Sequence, residues 1–171
     1  MDATRITIST PEDHEALLAL YPEAFPDEDL TGLVAGLLGH PDVLSLTAWT
    51  GLSMAGHAAL TRCDVSDSDA RVALLGPLCV APDAQRQGLG RALIEDAARQ
   101  LKAESVSAML VLGDPNYYTL CGFDQVSPVA APYPLKPEWR DAWRMRPLTD
   151  AAPERGTLRV PTPWADPVLW S

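Results

Sequence analysis

The segment from Leu74 to Leu101 reads LLGPLCVAPDAQRQGLGRALIEDAARQL and joins an apolar run, a polar glycine-containing loop and a long amphipathic pattern. The apolar run predicts a strand over Val72–Val80. The amphipathic pattern predicts a helix over Gly88–Ala103, because apolar residues recur at the spacing of one helix face. These residues are Leu89, Leu93, Ala97 and Leu101. The polar loop therefore leads directly from a strand into a helix N-terminus.

A second strand follows this helix. Ser107–Leu112 is almost continuously apolar, as expected of a strand buried on both faces of a parallel sheet. Strand, helix and strand then form a parallel crossover, for which a right-handed connection is the rule. Gly76-Pro77 interrupts the first strand, because proline lacks the N–H that a ladder needs, and this predicts a bulge or splay.

The rest of the chain adds further strands and helices. The patterns predict strands over Arg5–Ser9, Leu44–Thr50, Ala55–Thr61 and Trp143–Leu148, a helix that begins at Thr10, and a helix over Asp27–Leu38. No repeat or linker divides the 171 residues. We therefore expect a single domain over residues 1–171, with a core over 1–126 and a proline-rich extension over 127–171 packed on it.

The composition argues against several classes of partner. The chain has 13 Lys and Arg against 23 Asp and Glu, so its net charge is −10. Nucleic acids and anionic membranes are bound through clustered basic residues, so we expect neither as a partner, whereas a cationic substrate fits. No apolar run is long enough to span a bilayer, and MDATRITISTPEDHE lacks the apolar region of a secretory signal.

The cysteines bear on location and on metal binding. Cys63, Cys79 and Cys121 are an odd number and do not have the spacing of a zinc site. Disulfide frameworks belong to oxidising compartments. We therefore expect reduced thiols, a cytoplasmic location and no bound metal.

The polar loop has the features of an anion site. The first N–H groups of a helix have no intrahelical partner, and the helix dipole adds partial positive charge there. Gly88 and Gly90 lack Cβ atoms, so a phosphate group can approach the main chain closely. Arg86 and Arg91 flank the loop and are able to reach outer phosphate oxygens.

Three phosphate-binding motifs compete for this loop. A P-loop ends in Gly-Lys-Ser or Gly-Lys-Thr, which is absent. A dinucleotide fingerprint follows the first strand and has three spaced glycines, and that spacing fails here. The third motif is Gln/Arg-x-x-Gly-x-Gly/Ala, which binds the pyrophosphate of coenzyme A. The sequence Gln85-Arg86-Gln87-Gly88-Leu89-Gly90 matches it without a gap.

The context of the loop adds to this match. LLGPLCVAPDA precedes it, a long amphipathic helix follows, and VLGDPNYYTLCGF comes after the next strand. This arrangement resembles the GCN-five-related N-acetyltransferase (GNAT) superfamily, and within it the YhbS-like acetyltransferases. The resemblance covers Leu74 to Phe123, with weaker similarity upstream in YPEAFPDEDLTGLVAGL and AGHAAL.

The resemblance implies a fold and a cosubstrate. The fold is α/β (α+β), with a mixed central sheet, two splayed parallel strands and flanking helices. The cosubstrate is acetyl-CoA, with its pantetheine arm between the splayed strands and no metal required. The implied pyrophosphate contacts are Gln85, Arg86, Gln87, Gly88, Leu89, Gly90 and Arg91.

Further site residues follow from the same resemblance. The main chain of Leu78, Cys79 and Val80 would contact the pantetheine arm, and one N–H there would face the thioester carbonyl. Tyr118 would act as general acid on the departing CoA thiolate, since a phenol with a pKa of about 10 is protonated at neutral pH. Asn116 would either bond to the cofactor arm or cap a short helix, and Tyr117 fits a packing role.

The general base stays open. Some family members carry a glutamate midway along the strand before the loop, where this chain has Leu74. The alternatives are His57, Glu23, a water-mediated route, or an amine that arrives neutral, although His57 also fits a structural role. The acids Glu23, Glu28 and Asp29 either line the acceptor side or are solvated helix ends. A covalent acetyl-enzyme on Cys79 is disfavoured, because its strand position gives the important role to the backbone.

The resemblance favours an acetyl-CoA-dependent N-acetyltransferase that acts on an amine of a small molecule or protein by direct attack in a ternary complex. A CoA-binding sensor or interaction module without turnover is the alternative, and a flavodoxin-like binder of phosphate ligands is a third interpretation. In the tail, Trp164 and Trp170 fit packing on their own domain, and as exposed residues they would permit a homodimer.

Overall fold

The computed structural model describes residues 4–171, which form a mixed α/β structure. Its helices are α1 (His14–Ala24), α2 (Thr31–Leu37), α3 (Leu89–Ala103) and α4 (Pro115–Tyr118). Its strands are β1 (Thr4–Ile8), β2 (Val43–Thr50), β3 (Ser53–Val65), β4 (Arg71–Val80), β5 (Ala108–Leu112), β6 (Gln125–Val126), β7 (Trp143–Pro147) and β8 (Leu158–Arg159). Within residues 4–171, no helix is long and apolar enough to cross a membrane.

The strands form one mixed sheet in the order β1-β2-β3-β4-β5-β7-β6, and β8 pairs with β3. β1 and β2 are antiparallel, with Thr4 opposite Thr50. β4 and β5 are parallel, from the pair Val72–Ala108 to the pair Leu75–Val111. β5 is antiparallel to β7. The parallel pair, joined through α3, confirms the predicted strand–helix–strand crossover, and the mixed sheet with flanking helices confirms the fold class.

The described residues cluster into two compact units. The first contains the described residues up to Leu60 together with Gly76–Ala97, and the second contains Thr61–Leu75 together with Ala98–Ser171. β3, β4 and α3 each contribute residues to both units. The single domain with a core over 1–126 and an extension over 127–171 stays a prediction.

In the first unit, local capping sets where the helices begin. The Thr10 N–H donates to Asp13 Oδ2 at 2.9 Å, and a 3-10 turn over Pro11–Asp13 leads into α1, as the sequence predicted. The second helix begins at Thr31 rather than at the predicted Asp27. The Asp29 carboxylate accepts hydrogen bonds from the Thr31 N–H and Oγ1, at 3.2 and 2.6 Å, and so fixes the start of α2.

In the second unit, the tail packs its tryptophans inward. Trp164 Nε1 donates to Thr61 Oγ1 and Trp170 Nε1 donates to the Trp164 carbonyl, each at 3.1 Å. The Trp170 ring meets the Trp143 ring edge-on at 5.6 Å between centroids. Trp164 and Trp170 are buried, so the packing role is confirmed. Their exposure, which was the argument for a homodimer, was wrong.

Candidate active site

Residues 85–88 of the QRQGLG segment form an exposed loop after β4, and Leu89 and Gly90 are buried at the start of α3. The loop follows a 3-10 turn over Pro82–Ala84, and α3 begins at Leu89. Gln85 Nε2 donates to the Val80 carbonyl at 3.1 Å, and Gln87 Nε2 donates to the Asp83 carbonyl at 3.4 Å. The two glutamines therefore tie the loop to the strand end and to the turn, which fixes its backbone.

The loop backbone turns through left-handed conformations. Arg86 has φ 64° and Gly88 has φ 85°. Such a value suits glycine at position 88, whereas for Arg86 it is an uncommon and strained conformation. A Cβ built on Gly88 would meet no atom within 4 Å. The space in front of Gly88 is therefore open to a ligand.

The α3 N-terminus supplies unpaired donors beside this space. The first intrahelical bond runs from the Ala92 N–H to the Gly88 carbonyl at 3.0 Å. The N–H groups of Leu89, Gly90 and Arg91 precede it and have no partner inside the helix. The Arg86 and Arg91 side chains are exposed on either side. This arrangement suits a bound anion of pyrophosphate size.

The end of β4 presents main-chain groups along one edge. Its parallel ladder with β5 ends at Leu75, immediately before the Gly76-Pro77 interruption that the sequence indicated. The Ala81 N–H donates to the Ala55 carbonyl of β3 at 2.8 Å, and a Cβ on Gly56 would lie 3.0 Å from the Cys79 carbonyl oxygen. Cys79 and Ala81 thus turn their main chain toward β3.

The main-chain groups of Leu78 and Val80 point to the edge of β4 that faces away from β3. Main-chain groups of successive strand residues point to opposite sides, so those of Leu78 and Val80 face away from β3. Of the three residues that the sequence assigned to the pantetheine arm, these two have the suitable main-chain direction.

The Cys79 thiol is buried. Burial raises its pKa to about 12, so it holds its proton at neutral pH. This agrees with the interpretation that Cys79 is not an acetyl carrier.

His57 lies in the interior with both ring nitrogens engaged. Its Nδ1 is 2.6 Å from the Tyr21 hydroxyl, and its Nε2 is 2.7 Å from Ser45 Oγ. Burial lowers the pKa of His57 to about 3, so the imidazole is neutral. His57 is 1% exposed and both ring nitrogens have partners, which favours its structural role over that of general base.

In the second unit, Tyr118 ends the short helix α4. The Asp114 carboxylate accepts from the Asn116 N–H at 2.9 Å, so Asp114 is the N-cap and the capping alternative for Asn116 was wrong. A Cβ on Gly113 would lie 2.8 Å from Cδ2 of the Tyr118 ring and closer still to Cε2. The Tyr118 ring therefore packs directly on Gly113, in the space that a larger side chain would occupy.

Two aromatic rings hold Tyr118 edge-on. Ring centroids lie 5.8 Å away for Phe123 and 5.0 Å away for Tyr117, which is itself 39% exposed. Burial raises the pKa of Tyr118, and nearby Tyr117 adds to this shift. Tyr118 therefore stays protonated through the physiological range and is a hydrogen-bond donor.

The family model described as "Acetyltransferase (GNAT) family" matches residues 10–123, which is most of the chain. The chain belongs to the GNAT family. Two similar proteins of Escherichia coli K12 are named as uncharacterized N-acetyltransferases. YjhQ is 29% identical over 151 residues, with 83% of each chain covered. YhbS is 30% identical over 100 residues, with 57% of this chain and 58% of YhbS covered.

Solved GNAT structures share the fold. The crystal structure of Escherichia coli YhbS in complex with CoA has a TM-score of 0.82 at 24% identity, covering 92% of this chain and 89% of YhbS. A Brucella melitensis GNAT acetyltransferase in complex with acetyl-CoA has a TM-score of 0.77 at 21% identity, covering 96% and 99% of the two chains.

In this GNAT chain, β4 contains no Asp, Glu or His that could act as a general base. Leu74 is buried and apolar where some family members carry a glutamate. Glu23 and Glu28 are exposed, and the Asp29 carboxylate accepts hydrogen bonds from Thr31. Among residues 4–171, no group of three or more His, Cys, Asp or Glu side chains is arranged to hold a metal ion.

Sequence reasoning missed four residues that shape these sites. Asp114 was signalled by Asp114-Pro115, since aspartate at the N-cap and proline at the first helical position mark a helix start. Gly113 had no such signal, because its role is to leave room for a ring. Tyr21 and Ser45, the partners of His57, lie far from it in sequence, so no local pattern indicates them.

Proposed function

We propose that this chain is an acetyl-CoA-dependent N-acetyltransferase, which moves an acetyl group to an amine of a small molecule or protein by direct attack in a ternary complex. One observation carries the proposal. The open space at Gly88 meets the unpaired N–H groups of Leu89, Gly90 and Arg91 at the start of a 15-residue helix. A chain of net charge −10 thereby keeps a local site for a polyanion.

The loop is assigned to the pyrophosphate of the coenzyme. Main-chain N–H groups would bind the inner phosphate oxygens, and the Arg86 and Arg91 guanidinium groups would bind the outer ones. Gln85 and Gln87 would act by holding the loop backbone in shape, as their bonds to Val80 and Asp83 suggest. The CoA and acetyl-CoA complexes of the structurally similar acetyltransferases support this cosubstrate.

The acetyl transfer is assigned to main-chain groups and one phenol. An N–H from Leu78 or Val80 would polarise the thioester carbonyl and stabilise the oxyanion that forms as the amine nitrogen attacks the carbonyl carbon. The C–S bond then breaks, and the CoA sulfur leaves with the electron pair. The attacking nitrogen is positively charged in the tetrahedral intermediate and gives up one proton, to water or to Glu23, as the neutral amide forms.

Tyr118 is proposed as the general acid for the departing sulfur, and Asn116 as a contact of the cofactor arm. The raised pKa of Tyr118 bears on how the phenol acts. An ordinary thiol has a pKa of about 8.5, so the phenol is the weaker acid of the two. Tyr118 would therefore contribute chiefly a hydrogen bond to the developing thiolate, with the proton finally supplied by solvent.

An acceptor pocket is proposed between α1 and α2. A cavity of about 340 Å³ lies there, and it combines apolar residues with carboxylates. Its lining includes Phe25, Leu30, Asp27 and Glu28. An amine that is cationic in water suits this mixture, and the excess of acids over bases would attract it. We extend the proposal to a cytoplasmic location, supported by three buried thiols.

Calorimetry with CoA and with acetyl-CoA, followed by a thiol-release assay over a panel of amines, tests the proposal. We expect heat from both forms of the coenzyme and amine-dependent release of CoA thiol. Absence of binding to either form would contradict the assignment of the loop. Binding without turnover on any amine would instead favour the sensor, for which the apolar Leu74 is the supporting observation.

A further inference from the structure

A chain of four buried side chains lies in the interior of the first unit, and hydrogen bonds join three of them. It contains Ser45 of β2, His57 of β3, Tyr21 of α1 and Cys79 of β4, and is here called the buried chain. The Tyr21 hydroxyl lies 2.6 Å from His57 Nδ1, and Ser45 Oγ lies 2.7 Å from His57 Nε2. The Cys79 side chain packs in the same buried cluster as Tyr21. All four residues are buried.

The chemistry of the imidazole orders this chain. A neutral histidine donates from one ring nitrogen and accepts at the other, so Tyr21 and Ser45 have opposite roles toward it. Burial raises the pKa of Tyr21 and lowers that of His57, which keeps both groups uncharged. Among the described residues, every buried side-chain nitrogen and oxygen has a hydrogen-bond partner. A satisfied buried network of this kind is rigid.

The buried chain ends at the residue between the two main-chain donors assigned to the thioester. Cys79 packs its side chain with Tyr21 in one apolar cluster, and its carbonyl lies against Gly56. Leu78 and Val80 flank Cys79 and turn their main-chain groups the other way. Because peptide units are planar and their lengths fixed, the placement of Cys79 constrains the N–H groups on both sides.

We propose that Tyr21 and His57 are positioning residues for acetyl transfer, which set the main-chain donors of Leu78 and Val80 by holding Cys79. This inference rests on the proposed function, because it assumes that those donors meet the thioester. The buried chain does not touch the substrate. It fixes the direction of an oxyanion contact whose contribution depends on placement.

A comparable buried bond elsewhere provides the control. Trp164 Nε1 donates to Thr61 Oγ1 at 3.1 Å in the second unit, where no cofactor contact is assigned. Thr61→Val removes that bond at nearly constant volume, as Tyr21→Phe removes the bond to His57. Both variants should lower the unfolding temperature, so stability alone does not separate a positioning role from a structural one.

The deciding experiment follows the carbonyl stretch of bound acetyl-CoA labelled with ¹³C at the acetyl carbonyl. Polarisation by an N–H donor lowers this frequency. In Tyr21→Phe we expect the band to move back toward its value in free acetyl-CoA, kcat to fall about tenfold, and KM for acetyl-CoA to change by less than about twofold. In Thr61→Val we expect an unmoved band and an unchanged kcat.

An unmoved band and unchanged kcat in a folded Tyr21→Phe protein would overturn the inference. If that variant does not fold, Cys79→Ala decides, because it keeps the phenol–imidazole bond and removes the thiol contact. The same band shift would support the positioning role, and an unmoved band would overturn it. Wild-type protein that binds neither CoA nor acetyl-CoA would show instead that the proposed function itself has failed.

Discussion

The loop at Gln85–Gly88 and the packing site of Tyr118, formed by Gly113, Tyr117 and Phe123, position their groups in opposite ways. The loop is exposed and offers main-chain N–H groups, and its side chains serve to hold the backbone. The packing site fixes the position of one side chain, because the Tyr118 ring lies on Gly113 and meets the Phe123 ring edge-on. A main-chain site tolerates most side-chain changes except at glycine, whereas a packed side chain depends on every neighbour.

The loop should fail most severely when its open space is filled with charge. Gly88→Glu places a carboxylate where the pyrophosphate is assigned and strains the left-handed φ of 85°. We expect CoA affinity to fall by about a thousandfold, measured by calorimetry, because like charges brought together are repelled by several kcal/mol. Gly39→Glu is the matched control, since Gly39 has φ 79° and equally open surroundings. Equal losses in both variants would contradict the site.

Loss of the Tyr118 hydroxyl should lower the rate of turnover rather than the affinity for CoA. Tyr118→Phe keeps the ring on Gly113 and removes only the hydroxyl donor. We expect kcat to fall about a hundredfold, as for loss of a hydrogen-bond donor to charge that develops in the transition state, while CoA affinity stays within about twofold. Stopped-flow or steady-state thiol release measures the first and calorimetry the second. An unaltered kcat would remove Tyr118 from the chemistry.

A side chain at Gly113, on which the Tyr118 ring packs, should have the next largest effect, which is on stability. Gly113→Ala forces a methyl group into the Tyr118 ring and should lower the unfolding free energy by about 2 kcal/mol. Gly32→Ala in α2 meets no atom within 4 Å and should instead raise it by about 1 kcal/mol, because alanine favours helix. Chemical denaturation of both variants measures the difference, and two stabilised proteins would show that the ring is not seated on Gly113.

Side chains at the loop should matter least. Arg91→Gln removes one exposed guanidinium and should weaken CoA binding about threefold at low salt, with the difference shrinking as salt is added. Arg99→Gln, on the exposed side of α3 about two turns further on, should leave the affinity unchanged. A salt-independent loss at Arg91 would indicate a structural role for this residue in the helix.

The same contrast explains which parts were predictable from the sequence. A main-chain anion site depends on glycine spacing and on the start of a helix, and both are local patterns visible in QRQGLG. The crossover was predictable because apolar periodicity is also local. The buried chain depends on residues that meet only after folding, such as Tyr21 and His57, which are 36 positions apart. The packing site of Tyr118 likewise depends on contacts that form only after folding.

Two errors have a common physical cause. The second helix was expected to begin at Asp27, and the tail tryptophans were considered as exposed contacts. In both cases a polar partner decided the outcome. The Asp29 carboxylate binds the Thr31 N–H and hydroxyl immediately before the helix, and Thr61 accepts the Trp164 indole N–H and so permits its burial. Hydrophobic patterns do not record such partners.

The burial of all three cysteines has a practical benefit. A disulfide-exchange dye added to the folded protein meets no accessible sulfur on it, so colour that develops during an assay counts coenzyme released by the reaction. When the same sample is later denatured, the dye reacts with the exposed cysteines. A single optical signal thus reports product formation first and the rate of opening of the protein afterwards.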